Sequence, residues 1–346
     1  MAALTRGRSG KSRLMDETHA QYYADRATYA GMIVCEGAHP SLEGIGWVDS
    51  PLLFNEQHAA GWKKVVDAVH AKGCKMVCQI WHQGRAAHSS FMPDGGPPYA
   101  PSAIKIGAES ALTALRDAND AKVEYEVPRE MTLAEIKASI AAHKQAAMMA
   151  KLAGFDGIEL HCANGYLNNE FLESSSNRRT DAYGGSKENR FRIIAETLDA
   201  ICQVYPSNKV AVKLSPNGAY NEMGSPDNVE LYDYVLAELS KRNLSYVCLM
   251  DGLAFGFHDK CAAYTLEMAR KVYSGKIVAN CGYDDKTAEA VIASGSADAV
   301  AFGRPFLGNP DLAYRYAMGL PVVESDSKTW FTHGPEGYND YPALEQ

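Results

Sequence analysis

Gly157-Ile-Glu-Leu-His161-Cys-Ala-Asn164-Gly-Tyr166 decides the fold, because it completes a helix-to-strand unit. Upstream, Thr132-x-x-Glu135 has the spacing of a capping box, in which hydroxyl and carboxylate each take a free backbone N–H of the other. Ile136, Ile140 and Ala147 then recur at helical spacing, and Gly154 stops the helix. The apolar run 157–161 reads as a buried strand. His161, Asn164 and Tyr166 are released where that strand ends. Two donors there suit an electron-rich oxygen, and a tyrosine suits proton delivery to carbon. A His and an Asn at a strand end can also do no more than cap local backbone, so the surrounding units decide.

The same unit repeats outward in both directions. Trp62, Val65, Val66 and Val69 lie at helical spacing, Gly73 ends that segment, and Lys75-Met-Val-Cys-Gln79-Ile80 reads as a strand. Strands are expected again at 209–214, 246–250, 276–280 and 299–302, with helices near 191–204, 231–239, 265–272 and 286–293 between and around them. Asn309-Pro310 has the chemistry of a further helix start, Asn as cap and Pro in the first turn. Residues 32–35 bring the strands to seven, and Ala2-Ala-Leu-Thr5 forms the stub of an eighth. This count predicts an α/β chain folded as a (β/α)8 TIM barrel, one domain over 1–346, with its chemistry at the carboxyl ends of the strands. Residues 88–130 break the rhythm after the third strand and read as a lid or hairpin insertion.

Composition narrows the classes. The chain has 346 residues, 46% hydrophobic and 22% charged, enough for a large core. A formal charge of -8 argues against a nucleic-acid or anionic-membrane binder. No apolar stretch is long enough to span a bilayer. The eight cysteines contain no C-x-x-C pair, so reduced, mostly buried thiols in the cytoplasm are expected rather than zinc or disulfides. No metal ligand set is expected. The Arg-rich start, MAALTRGRSGKSR, resembles a transit peptide in composition but runs directly into structured sequence, and is read as a strand end and loop.

Two late turns suit a phosphate. Asn280-Cys281-Gly282-Tyr283 follows the seventh strand, and Gly303-Arg304-Pro305-Phe306 follows the eighth. Barrels bind phosphate on these loops through backbone N–H groups that glycine leaves exposed, and Arg304 adds a forked charge. Lys213, in the strand Val212-Lys-Leu-Ser-Pro216, needs an anionic or polar partner, either a ligand or a structural ion pair. Gln79 offers an amide to a planar heterocycle or to a neighbouring strand. Together these imply a phosphorylated heterocycle, its phosphate by Gly282, Gly303 and Arg304 and its ring near Thr5, Gly37, Gln79 and Lys213. The chain lacks a G-x-G-x-x-G fingerprint, so a nicotinamide would visit transiently.

With these residues in view, the chain resembles the Old Yellow Enzyme family of FMN-dependent ene-reductases over nearly its whole length. The match runs through Gln79-Ile-Trp81-His82-Gln-Gly-Arg85, His161-Cys-Ala-Asn164-Gly-Tyr166 and Asn177-Arg-Arg179-Thr-Asp181-Ala-Tyr183-Gly-Gly-Ser186. It continues in Leu214-Ser-Pro216, Phe302-Gly-Arg304-Pro and Gly337-Tyr-Asn-Asp-Tyr-Pro342. The resemblance implies tightly bound FMN and transient NADPH. It implies that His161 and Asn164 hold the carbonyl oxygen of an enone-type small molecule, and that Tyr166 protonates the α-carbon. Thr5 and Gln79 would contact the flavin ring, and Trp81, Trp330 and Phe331 would line the substrate side. Thr5, rather than Cys, places the chain nearer the family's founding branch. A monomer or homodimer is expected.

Several positions depart from the family pattern. Lys213 replaces a usual Arg, Phe331 a frequent Tyr, and Cys281 a common Gly, tolerable if only its backbone N–H is used and its φ is negative. The family's leading segment is not present before Met1, so a non-catalytic or weakly active flavin-binding barrel is the alternative expectation. A third reading, a lyase or isomerase acting on a sugar phosphate, predicts a colourless protein.

Overall fold

The computed structural model describes residues 1–107, 115–252 and 257–344. Among them the strands are β1 (Met32–Val34), β2 (Lys75–Ile80), β3 (Tyr99–Ala100), β4 (Arg129–Glu130), β5 (Gly157–Cys162), β6 (Val210–Leu214), β7 (Tyr246–Met250), β8 (Ile277–Asn280) and β9 (Ala299–Ala301). Seven form one parallel sheet in the order β1-β2-β5-β6-β7-β8-β9, so sequence neighbours are spatial neighbours throughout. Residues 1–4 bridge the two edges. The Ala2 N–H donates to Phe302 O at 2.9 Å, and Met1 O accepts from Val34 N–H at 3.0 Å. This is the eighth place of a (β/α)8 barrel, filled by an extended segment rather than a regular strand.

Helices follow the strands as the pattern requires: α1 (Glu17–Ala27), α2 (Glu56–His70), α3 (Leu133–Ala153), α4 (Leu167–Leu172), α5 (Lys187–Cys202), α6 (Asn228–Ser240), α7 (Leu266–Val272), α8 (Asp285–Ala293), α9 (Pro305–Gly308) and α10 (Leu312–Met318). The capping box of α3 is formed: Glu135 N–H donates to Thr132 Oγ1 at 3.2 Å, and Thr132 N–H donates to Glu135 Oε2 at 2.7 Å. Gly154 ends α3 at φ 92°, a left-handed conformation that glycine takes without strain. On α2, Trp62, Val65, Val66 and Val69 are all fully buried, and such a side chain contributes about 1.5–3 kcal/mol on leaving water.

Asn309 corrects one expectation. It does not cap a helix beginning at Pro310, since α10 starts at Leu312 with Asp311 at its N-cap. Asn309 instead closes α9, its amide donating to Pro305 O and Val323 O, both at 2.8 Å. A buried amide with two carbonyls in reach satisfies more groups there than at a helix start.

The described part of 88–130 carries β3 and β4, which pair only with each other, and an Arg116–Lys122 bridge. Residues 108–114 lie outside the described residues. Leu115 and Tyr125 are buried in a cluster with Trp81, Tyr166 and Tyr220, so this excursion packs over the carboxyl end of the barrel. All eight cysteines are free thiols. No helix is long and apolar enough to cross a membrane, and no metal-holding group of His, Cys, Asp or Glu is found among the described residues.

Candidate active site

A cavity of about 920 Å³ opens at the carboxyl ends of the strands. Thr5, Gln79, Trp81, His161, Asn164, Tyr166, Lys213, Gly282, Gly303, Arg304, Trp330 and Phe331 all line it. Gly37 does not. It stands behind Trp81, where an added Cβ would come 2.5 Å from the indole Cε3. Its lack of a side chain therefore seats the indole rather than touching a ligand.

Side-chain alternation sends His161 and Glu159 of β5 to the same side of the sheet. Ala163 N–H donates to His161 Nδ1 at 3.2 Å. That makes Nδ1 an acceptor and leaves the ring proton on Nε2. Burial, and then the Lys213 charge, push the imidazole well below its ordinary range, so it is neutral near pH 7. Asn164 sits at φ 58° and Gly165 at φ 70°. This turn is tied down by Asn164 N–H donating to Ser215 Oγ at 2.8 Å and Asn221 Nδ2 donating to Asn164 O at 2.9 Å. A Cβ on Gly165 would lie 2.5 Å from that of Asn221. Tyr166 caps α4, its ring edge-on to Trp81 at 4.9 Å and to His161 at 5.2 Å. Burial raises its phenol well above the ordinary range, with Tyr220 adding to the effect. Tyr166 is thus fully protonated at neutral pH.

On the far side, Gln79 Nε2 donates to Glu159 Oε1 at 2.7 Å, and Tyr246 OH donates to Glu159 Oε2 at 2.9 Å. The amide is thereby oriented, with its Oε1 left to accept. Lys213 pairs in register with His161 and is only 5% exposed. No carboxylate forms an ion pair with it among the described residues, so the structural alternative for this lysine is not realised within them. A buried ammonium facing a cavity calls for an electron-rich ligand. Thr5 is fixed by its successors: Arg6 N–H and Gly7 N–H donate to Glu36 Oε2 at 3.1 and 3.2 Å.

At the other end, Asn280 Nδ2 donates to Ala301 O at 2.6 Å and binds the ends of β8 and β9 together. Cys281 departs from expectation, with φ at 87° rather than negative, followed by Gly282 at φ 92°. Its Cβ is accommodated in a conformation that costs a non-glycine residue about 1–3 kcal/mol. Arg304 lies 5.1 Å over the Trp330 ring. Arg6 and Arg8 grip the Trp330–Phe331 segment, Arg6 Nε and Arg8 Nη1 each donating to Trp330 O at 3.2 Å.

Sequence reasoning missed Trp47 and Tyr220 on the cavity wall and Glu159 behind it, and named Asn280 only as the start of a turn without giving its side chain a role. Asn280 and Glu159 carried a signal, a polar residue inside an apolar strand. Trp47 and Tyr220 carried only their position on loops leaving strand ends.

The chain matches the sequence profile described as the NADH:flavin oxidoreductase / NADH oxidase family over residues 1–322. It is 37% identical to a putative 12-oxophytodienoate reductase 4 of Oryza sativa subsp. japonica, covering 100% of this chain and 89% of the rice protein. It is 36% identical to a probable flavin mononucleotide-dependent alkene reductase of Leishmania infantum, covering 99% and 93% of the two. An Old Yellow Enzyme homologue from Zymomonas mobilis superposes with a TM-score of 0.93 at 36% identity, over 99% of this chain and 95% of that one. Morphinone reductase superposes with a TM-score of 0.92 at 36% identity, over 99% and 91%.

Proposed function

The chain belongs to the Old Yellow Enzyme family of flavin oxidoreductases, and from that premise we propose that it reduces the activated C=C bond of α,β-unsaturated carbonyl compounds, using FMN and NADPH. The observation that carries this reading is the convergence of His161, Asn164 and Tyr166 on one side of a cavity whose floor holds Lys213, a buried cation in no ion pair among the described residues. The residues fit the cofactor. Lys213 meets the need of an electron-rich ring, Thr5 and Gln79 supply polar edges, and Gly282, Gly303 and Arg304 form the phosphate end. When bound, FMN supplies hydride from N5 to the substrate β-carbon.

The chain's own residues do the rest. His161 Nε2–H and the Asn164 amide hold the carbonyl oxygen, where negative charge grows as hydride arrives. A neutral imidazole with a fixed tautomer donates without surrendering its proton. Tyr166 gives its phenolic proton to the α-carbon, and burial keeps that proton in place until a carbanion-like acceptor is next to it. Trp81, Trp330 and Phe331 form the substrate wall, and the described residues 88–107 and 115–130 act as a lid over it. The eight free thiols support a cytoplasmic setting, as monomer or homodimer.

Anaerobic titration of the purified protein with NADPH and then cyclohexenone tests the reading. Yellow protein should bleach and regain its colour on addition of the enone. A parallel titration with NADH tests the choice of reductant. Protein that takes up no FMN, or that bleaches and stays bleached with enone, overturns it.

A further inference from the structure

Glu170 and Arg85 meet where α4 packs on the turn after β2, and both are buried, at 0% and 2% exposure. Glu170 belongs to the helix that Tyr166 caps, and its N–H donates to Tyr166 O at 2.9 Å. Its carboxyl reaches the β2 turn, where Arg85 N–H donates to Oε1 at 2.8 Å. Gly84 makes room for it, since a Cβ there would overlap Glu170 Oε1. The other carboxyl oxygen, Oε2, has no hydrogen-bond partner among the described residues, and neither has Arg85 Nε. A carboxyl and a guanidinium thus share one buried site without closing an ion pair among the described residues.

Arg85 turns its charge elsewhere. Its Nη1 donates to Ile104 O and its Nη2 to Asn221 O, both at 3.1 Å. Asn221, held at φ 55°, donates in turn through Nδ2 to Asn164 O at 2.9 Å. Two hydrogen bonds therefore connect the guanidinium to the backbone of Asn164. Burial, opposed by Arg85, raises the Glu170 carboxyl to about 8, so it is mostly protonated at pH 7 and leaves the guanidinium to Asn221. Once ionised, Oε2 competes for Arg85 with the Asn221 carbonyl, because a charged acceptor binds a guanidinium more strongly than a neutral one. The other ionisable groups round the pair are Glu222, Glu173 and Tyr125, which act on Arg85, and His82, which accepts from Gly84 N–H. Burial keeps His82 and Tyr125 uncharged and raises Glu173 as well.

We infer that Arg85 is a positioning residue for Asn164, acting through Asn221, and that Glu170 decides whether Arg85 stays in that place. Neither residue lines the cavity. Ionisation of Glu170 draws the guanidinium off Asn221 and loosens the turn that aims the Asn164 amide. The substrate oxygen as target of that amide rests on the function proposed above; the chain from Glu170 through Arg85 and Asn221 does not.

The test compares FMN-loaded wild type with Glu170→Gln, Arg85→Met and Asn164→Gly on both sides of Glu170's titration. Glu170→Gln keeps the shape of the protonated carboxyl and cannot ionise. Asn164→Gly removes the amide and suits the positive φ of that turn. Calorimetry on the oxidised enzyme reads cyclohexenone affinity. In wild type it should weaken about tenfold as pH rises through about 8, the loss of one hydrogen bond, and stay level in Glu170→Gln. Arg85→Met should show the weakened affinity at every pH, and Asn164→Gly should abolish the pH dependence, because the group that responds is gone. An inflection that persists in Glu170→Gln belongs to Glu173 or another group and overturns the inference, as does unaltered affinity in Arg85→Met. If Arg85→Met does not fold, Glu170→Gln and Asn164→Gly decide. Hydrogen exchange of residues 161–170, compared between wild type and Glu170→Gln at each pH, reads the turn without substrate. Faster exchange in wild type above about pH 8 supports the chain of contacts, and equal exchange overturns it. Wild type that binds and turns over no enone defeats the proposed reaction instead, and exchange then decides this inference by itself.

Discussion

Tyr166, His161 and Cys281 show three ways in which a single residue's surroundings set its behaviour. Tyr166 is buried against Trp81 and His161, so its proton stays on at neutral pH. Tyr166→Phe should slow alkene reduction by about 10²–10⁴-fold while flavin reduction by NADPH keeps its rate. Stopped-flow measurement of the two half-reactions decides this, and equal loss in both would remove Tyr166 from its role. His161 acts as a donor because its Nδ1 is occupied by Ala163 N–H. His161→Ala should therefore lower the rate of alkene reduction by about 10²–10³-fold, the cost of one lost oxyanion donor. Cys281 holds φ at 87°, so Cys281→Gly should raise stability by roughly 1 kcal/mol, once the added freedom of the unfolded chain is subtracted. A lower melting temperature for that variant would show that the thiol's contacts outweigh its backbone strain.

Among the elements, α3 and its flanks were the most legible, because each signal was local. Thr132, Glu135 and Gly154 do in the fold what their spacing predicts. Gly154→Ala should destabilise the protein by about 1 kcal/mol, since a Cβ at φ 92° is strained in the folded state. Urea unfolding measures it, and an unchanged midpoint would mean the turn relaxes. The end of the barrel was less legible. Asn309 has the chemistry of a helix cap, yet two carbonyls brought to it by folding claim its amide. Ala2-Ala-Leu-Thr5 reads as the stub of a strand, but isolated bonds of Met1 and Ala2 with Met32, Val34 and Phe302 hold this segment at the edges of the sheet.

At the scale of the whole molecule, acid should weaken the fold. Burial lowers His39 to about 3 and His143 to about 4, and takes His82 and His161 well below their ordinary range. Below about pH 6.5 the unfolded chain takes up four protons that the folded chain refuses, so stability falls with pH. Glu170 acts with the opposite sign. Burial raises it to about 8, so its contribution is greatest in acid and is lost as pH rises towards 8. Burial raises Glu173 and Asp251 in the same sense as Glu170 and lowers His58 in the same sense as the other four histidines. Five histidines against three carboxyls give a lower melting temperature at pH 5 than at pH 7, and calorimetry showing the reverse would contradict the balance. By itself the sequence determined the repeating strand-and-helix units and the residues placed at strand ends, because periodicity, caps and glycine stops act over a few residues. It also placed twelve residues of the cavity lining, through motifs that keep their spacing along the chain. Only the tertiary structure set Gly37 behind Trp81, positive φ at Cys281, and Tyr220 and Trp47 on the wall. It alone brought Glu170 to the Arg85 backbone while the Arg85 side chain reached Asn221. These depend on which distant groups meet once the barrel has closed, and no local pattern encodes that.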